Sequence, residues 1–341
     1  MASEAPPFWW QPVDWRARIL WPVSALYGVI AARRMHKGVR KQVDAPVLCI
    51  GNFTVGGTGK TPTAITFAKQ AAELGFAPGF LSRGHGGASK RPHLVDAAKD
   101  SARHVGDEPL LLAAHALVAV TPDRAAGAKL LIEQGCDFLI MDDGFQSARV
   151  HVDYALAIAD ARHGLGNGRV IPAGPLRAPM ADQLRHVTAL LRMGEGDAAD
   201  SVVRAASRAG KPVFEASVQT VNPEAVAGRR LLAFAGIGHP ERFYDSLATA
   251  GGEVAMWRSF GDHHIFSLPE LMDLQDTARD ERLDLVTTSK DAARLRHAET
   301  PPLFMGDLIE LEVEAVFEDP NVPRRIIDRT VAAWKQRRLL R

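Results

Sequence analysis

Cysteine is scarce in this chain. Its two copies, Cys49 and Cys136, each sit in or beside an apolar run, so they read as small buried residues of a reduced compartment and not as a disulfide. An excess of one charge is also missing. The 341 residues carry a net charge of +1, which gives a nucleic-acid partner no global electrostatic support. No apolar run reaches bilayer-spanning length: the best candidate, residues 19–32, is too short and contains Pro22. The basic, apolar and small-residue pattern of a signal peptide is not found, and no internal repeat or low-complexity tract is visible. What remains, at 46% hydrophobic and 24% charged, is an ordinary globular composition long enough for two modest domains.

The modest net charge hides an asymmetry. Residues 1–41 hold seven Lys/Arg against Glu4 and Asp14, a net of +5, which leaves −4 for the rest. The same segment carries Trp9, Trp10, Trp15 and Trp21, four of the six tryptophans. Apolar residues recur at helical spacing through Trp15, Ile19, Val23, Leu26 and Ile30. Tryptophan, one apolar face and flanking arginines suit a helix lying in an anionic membrane interface.

The most specific signal lies at Gly51-Asn52-Phe53-Thr54-Val55-Gly56-Gly57-Thr58-Gly59-Lys60-Thr61. An apolar run, residues 47–50, feeds a glycine-rich turn that opens a helical stretch. Glycines let successive N–H groups turn inward around phosphate oxygens, and the helix dipole adds positive charge. The residues expected to bind nucleotide are therefore Thr54, Val55, Gly56, Gly57, Thr58, Gly59, Lys60 and Thr61, with Lys60 on the β- and γ-phosphates and the Thr61 hydroxyl on Mg2+. The usual pattern has glycine at position 54, where this chain has threonine. A second apolar run, residues 138–141, ends in Asp142 and Asp143, where ligands bind in open α/β sheets; both are magnesium candidates.

Gly106-Asp107-Glu108-Pro109 precedes a helical stretch, so its carboxylates serve either as dipole-favoured end residues or as a base and a metal ligand. Gly261-Asp262-His263-His264 offers one acid and two imidazoles, suited to metal binding, substrate orientation or proton transfer, and most attractively to a His acting with an Asp of the first domain across a cleft. Arg83 and Arg177, in glycine-rich loops after strands, and Gln146 are candidate anion or substrate contacts. Thr287-Thr288-Ser289-Lys290-Asp291 carries a weak signal for framing a nucleotide base.

Strand-like and helix-like stretches alternate. Runs at 47–50, 79–81, 117–120, 138–141, 155–158 and 188–191 predict one mainly parallel sheet, with helices at 63–74 and 123–134 between strands. Residues 194–210 read as a separator. Alternating patterns at 212–219 and 308–317 predict a two-stranded ribbon joining a second α/β block to the first. The expected division is 1–44, an interfacial segment; 45–210, a nucleotide-binding domain of P-loop type; 211–320, a smaller α/β domain with its linker strands; and 321–341, a terminal helix.

Taken in order, these motifs resemble the tetraacyldisaccharide 4'-kinase family of lipid A biosynthesis. The match runs through the phosphate loop, Ser82-Arg83-Gly84, Gly106-Asp107-Glu108-Pro109, Asp142-Asp143-Gly144-Phe145-Gln146, Pro172-Ala173-Gly174-Pro175-Leu176-Arg177, Asp262-His263-His264 and Lys290-Asp291-Ala292. His85, Gly87 and Ser147 depart from the family pattern. The resemblance implies transfer of the γ-phosphate of ATP to the 4'-hydroxyl of a tetraacylated glucosamine disaccharide 1-phosphate, by a monomer at the cytoplasmic face of the bacterial inner membrane. On that reading, removing residues 1–34 is expected to spare ATP binding while raising the apparent requirement for lipid substrate. It implies Asp107 as catalytic base with His263 as its partner, in a catalytic set with Lys60 and Asp262, and Thr61, Glu108, Asp142 and Asp143 as the magnesium environment. Two rivals share the phosphate loop. A carboxylate-activating ligase leaves the aromatic N-terminus and Asp262-His263-His264 unexplained; a membrane-attached nucleotide switch would hydrolyse nucleotide without a lipid acceptor.

Overall fold

The computed structural model describes residues 5–84, 87–88, 91–146, 149–298 and 301–340; His85 and Ser147 lie outside them. A 3-10 turn, Pro7–Trp10, leads into α1 (Trp15–Lys37). There follow β1 (Val47–Asn52), α2 (Lys60–Glu73), β2 (Pro78–Ser82), β3 (His93–Leu94), α3 (Ala102–Val105), α4 (Asp107–Ala113), β4 (Leu117–Val120), α5 (Arg124–Glu133) and β5 (Phe138–Asp142). Then come β6 (Tyr154–Asp160), α6 (Met180–His186), β7 (Ala189–Met193), α7 (Asp200–Arg208) and β8 (Val213–Thr220). The second half adds β9 (Arg230–Ala235), α8 (Pro240–Thr249), β10 (Glu253–Ser259), α9 (Leu268–Glu281), β11 (Asp284–Thr288), α10 (Ser289–Arg296), β12 (Ile309–Leu311), β13 (Val313–Phe317) and α11 (Val322–Leu339).

Among the described residues nine strands form one sheet in the order β13-β8-β7-β6-β1-β5-β2-β4-β3, parallel except where β3 and β13 join at its edges. β1 is central, and its residues alternate between two cores. Leu48 and Ile50 face Phe67 of α2 and Ile326 of α11; Val47 and Cys49 face Leu131 of α5 and Val202 of α7. Burial on both faces explains why this strand reads as a continuous apolar run, and each such side chain contributes roughly 1.5–3 kcal/mol. A smaller sheet, β10-β9-β11-β12, carries α8 against one face and α9 against the other.

All six apolar runs fall in strands of the large sheet. Three local expectations need correction. Residues 194–210 are not a plain separator, because they contain α7. Asp107 and Glu108 do not precede a helix but open α4. The stretch 308–317 breaks at Glu312, whose N–H donates to Asn222 Oδ1 at 3.0 Å, and the chain there passes from the small sheet to the large one. The ribbon itself is present as β8 against β13, and β8 pairs on its other side with β7, so the ribbon extends the large sheet.

Helix α1 is split lengthwise. Ala17, Ser24, Gly28 and Met35 are buried, with Ser24 Oγ donating to the Val170 carbonyl at 2.6 Å. Opposite them, Trp15 and Ile19 are each 68% exposed, Leu26 64% and Val23 58%. Trp9 does not share that exposure. It is buried, its indole N–H donates to Pro172 O at 3.0 Å, and its cluster reaches Val55 of the phosphate loop. Among the described residues no helix is long and apolar enough to cross a membrane.

Candidate active site

The phosphate loop hangs between the central strand β1 and α2. Gly56 and Gly59 have φ of 114° and 88°, values that favour glycine. Thr54, where the usual pattern has glycine, makes an antiparallel bridge with Leu176, an extended conformation open to any residue. The loop is strapped from outside: Val55 N–H donates to Pro175 O at 2.9 Å, and Arg177 Nε donates to Thr54 O at 3.0 Å. Lys60 Nζ donates to Gly56 O at 3.4 Å, folding the ammonium over the loop. Thr58 Oγ1 is buried with no hydrogen-bond partner among the described residues. Such a group inside a ring of N–H donors suits a polar ligand.

Strand β5 delivers Asp142 and Asp143 beside this loop, and they differ sharply. Asp142 is buried and its Oδ1 has no partner among the described residues. Burial pushes its carboxyl up to about 7, against the pull of the Lys60 ammonium. Asp143 has φ of 48° and is gripped by Arg177, Nη1 to Oδ1 at 2.7 Å and Nη2 to Oδ2 at 2.9 Å. Although burial opposes it, Lys60 and Arg177 hold Asp143 well below the ordinary carboxylate range. Thr61 stands at the start of α2. An orphaned buried carboxylate oxygen, a second carboxylate and a hydroxyl form an all-oxygen donor set that fits a hard divalent cation. Gln146 is turned to structure: its amide donates to Asn52 O at 2.7 Å and to Gln183 Oε1 at 2.9 Å. Arg83 is exposed at the end of β2.

A second cluster assembles across the cleft. Asp107, buried at the start of α4, receives three donors on Oδ2: His263 Nδ1 at 2.8 Å, Arg294 Nη2 at 2.6 Å and Arg294 Nε at 3.2 Å. Burial alone would raise this carboxyl, but the bonds from His263 and Arg294 hold it far below its usual range. The same bond to Asp107 raises the proton affinity of His263. His263 has φ of 60°, and uncommon backbone of this kind in a non-glycine residue clusters at functional sites. Glu108 pairs with Lys290 at 2.9 Å, and Lys290 lies 3.7 Å from Asp262. Glu108 also acts on Asp142 through its like charge, which ties the two clusters together.

The structure thus brings Asp107, Glu108, Asp262 and His263 into one group beside Lys60, Asp142 and Asp143. His264 turns away, bonding Glu270 at 3.1 Å and stacking on Phe260. The faint base-framing signal at Lys290-Asp291 is not what these residues do here. Asp291 is fully buried, accepts from Gly236 N–H at 3.0 Å and holds Arg294 Nη1 at 2.6 Å. Arg294 is the residue that sequence reasoning missed. The spacing Asp291-x-x-Arg294 at the start of a helix is the signal that would have drawn attention to it.

The chain is similar along its length to known proteins. The family model described as tetraacyldisaccharide-1-P 4'-kinase matches residues 16–332. The chain is 59% identical over 340 residues to a tetraacyldisaccharide 4'-kinase of Mesorhizobium japonicum, covering 99% of each chain. It is 53% identical over 338 residues to the protein of that name from Brucella ovis, again covering 99% of each. Among solved structures it is similar to LpxK from Aquifex aeolicus in complex with ATP, with a TM-score of 0.70 and 27% identity over 92% of this chain and 99% of that one.

Proposed function

The chain belongs to the tetraacyldisaccharide-1-P 4'-kinase family, and from that footing we propose how its residues divide the work. The protein is an ATP-dependent kinase that phosphorylates the 4'-hydroxyl of a tetraacylated glucosamine disaccharide 1-phosphate, a lipid A precursor. Phosphoryl transfer asks mainly for alignment and charge neutralisation. Residues 56–59 cradle the triphosphate with backbone N–H groups, the Val55 N–H being already bonded to Pro175 O, and Lys60 leaves the Gly56 carbonyl to meet the β- and γ-phosphates.

Asp142, with its unpartnered oxygen, would hold magnesium directly, with Thr61, Asp143 and Glu108 completing the set under the guidance of Arg177 and Lys290. When bound, the cation neutralises charge developing on the transferred phosphoryl group. Arg83 and Arg177 are the further basic groups offered to anionic substrate; Arg177 acts through the loop and Asp143, and Arg83 from its exposed strand end.

Asp107 and His263 act as one unit. Ringed by Arg294 and His263, the Asp107 carboxylate is too acidic to be the better proton acceptor. By accepting from Nδ1 it leaves His263 Nε2 as the basic atom, with Asp262 3.8 Å away to balance the imidazolium that results. This refines the roles implied by the resemblance, with Asp107 positioning and His263 receiving the sugar-hydroxyl proton. The observation that carries the assignment is the Asp107–His263 bond, which exists only when residues 45–210 and 211–320 are docked.

The exposed stripe of α1, flanked by basic residues, would lie in the anionic cytoplasmic surface of the inner membrane and receive a substrate whose acyl chains stay in lipid. The protein acts as a monomer. The test is incubation with γ-labelled ATP and a bacterial lipid extract. Label in an organic-soluble glycolipid that disappears in His263→Ala supports the scheme; label released only as inorganic phosphate supports the nucleotide-switch rival.

A further inference from the structure

The two sheets are joined a second time, away from Asp107. Strand β6 ends in Asp160, with His163 three residues on; facing them are His239, Glu241 and Arg242 at the entry of α8. The rings of His163 and His239 stack with centroids 4.6 Å apart and planes at 29°. Trp10 covers His163 edge-on at 5.4 Å. Glu241 Oε1 lies 3.1 Å from His239 Nδ1. One ligand atom from each of His163, His239 and Glu241 falls within 4.8 Å of the other two. Behind them, Asp160 Oδ2 lies 3.2 Å from His163 Nδ1 and pairs with Arg242, whose Nη2 lies 2.9 Å from the same His163 nitrogen.

Two imidazoles and one carboxylate are the protein ligands of zinc sites that keep an open position. A carboxylate behind a ligating histidine fixes its ring and raises its basicity, a place Asp160 shares with the Arg242 guanidinium that it pairs with. Histidine nitrogens suit zinc and its transition-metal neighbours, not magnesium, so this donor set is chemically separate from the one at Asp142. The two carboxylates outweigh the single Arg242 guanidinium, leaving a net negative surround for a dication.

A second triad among the described residues, His93, Asp100 and His104, lies within one segment of the first unit. The set at 163, 239 and 241 draws its ligands from both units. With Trp10, these histidines border the same small crevice as Gly56, Gly57 and Thr58 of the phosphate loop. We propose that His163, His239 and Glu241 form a zinc-binding site that fastens the second α/β unit to the first beside the phosphate loop.

The full-length protein, stripped by a chelator, is titrated with Co2+ as a spectroscopic stand-in and then with Zn2+, and its thermal midpoint is read with and without Zn2+. One Co2+ per chain should give the strong visible absorption of a low-coordinate nitrogen site, Zn2+ should displace it, and Zn2+ should raise the midpoint. Glu241→Gln, on an exposed side chain, and His239→Asn each remove a ligand and should weaken Zn2+ by at least the roughly 10–100-fold that loss of an outer-shell partner costs. The metal-free melts of both variants report whether they are folded, and His104→Asn serves as the control. Absence of the Co2+ band overturns the proposal. So does wild-type affinity in both variants, or a loss of binding confined to His104→Asn.

Discussion

Arg294 donates to Asp107 Oδ2 through both Nη2 and Nε, across 187 residues of sequence. Its remaining terminal nitrogen, Nη1, holds Asp291 at 2.6 Å, and Asp291 in turn caps the Gly236 amide. The orientation of the Asp107–His263 pair is therefore set by how α10 of the second unit sits on α4 of the first.

Arg294→Ala should leave Asp107 buried beside a severed partner and cost about 3–5 kcal/mol of stability, read from a denaturation curve. Arg294→Lys keeps the charge but loses the two-pronged grip, because a point-like ammonium cannot reproduce it. That variant should fold, keep its KM for ATP, and lose on the order of a hundredfold in kcat through misalignment. An unchanged kcat in a folded Arg294→Lys protein would remove Arg294 from the catalytic argument.

The pH profile distinguishes the two members of the pair. The bond to Asp107 raises the His263 pKa above its ordinary value, and the ring must be neutral to accept a proton. The rate should therefore be low on the acid side and rise as pH passes upward through this raised pKa. Asp107→Asn removes the cause of the raise, so the rising limb should move to lower pH while the plateau falls by roughly 10²–10⁴-fold. If the limb stays in place in Asp107→Asn, His263 is not the group that titrates.

Lys60→Ala and Asp142→Asn should fail differently. Loss of the ammonium should weaken nucleotide binding and transfer together, by about 10²–10³-fold in kcat. Asp142→Asn removes a charge that burial already makes costly, so the protein should remain folded or gain stability. Its magnesium requirement should rise steeply, which titration of the rate against magnesium at saturating ATP would display.

The α1 stripe can be tested without deleting the segment. Truncation at residue 34 carries a different expectation from the one the resemblance suggested, since it would strip Trp9 and Phe8 from the cluster that supports Val55. Ile19→Glu with Leu26→Glu alters only exposed side chains. Each apolar residue withdrawn from a membrane forfeits up to about 1.5–3 kcal/mol, so affinity for anionic vesicles should drop at least tenfold. Activity on detergent-dispersed substrate should be kept. Wild-type vesicle binding by the double variant would assign the stripe another role.

Cys49 lies fully buried in β1, and burial pushes its thiol up to about 12. Native protein should resist thiol-directed alkylation at this position at neutral pH and react after denaturation, as followed by mass spectrometry. Rapid labelling of folded protein at Cys49 would contradict the packing of the central strand.

Much of the site is legible along the chain because its parts are local. A phosphate loop is a strand, a turn and a helix start in direct succession, so Gly56, Gly59, Lys60 and Thr61 identify themselves by spacing. Asp142 and Asp143 follow from their place at the end of an apolar run. The α1 stripe also came from spacing, since it needs only a helix. Trp9 was misplaced because composition cannot tell an aromatic that faces lipid from one that caps a neighbouring loop; its bond to Pro172 decided that.

The sequence by itself determined the fold class, the nucleotide loop and the acidic strand end, because these depend on hydrophobic period and on residues a few positions apart. Only the tertiary structure decided which carboxylate is charged, which histidine faces the cleft, and that Arg294 has a role at all. Those properties arise from burial and from partners more than 150 residues away, as in the Asp107–His263 and Asp107–Arg294 bonds. Charge in a buried site belongs to the neighbourhood, and the neighbourhood exists only once the chain has folded.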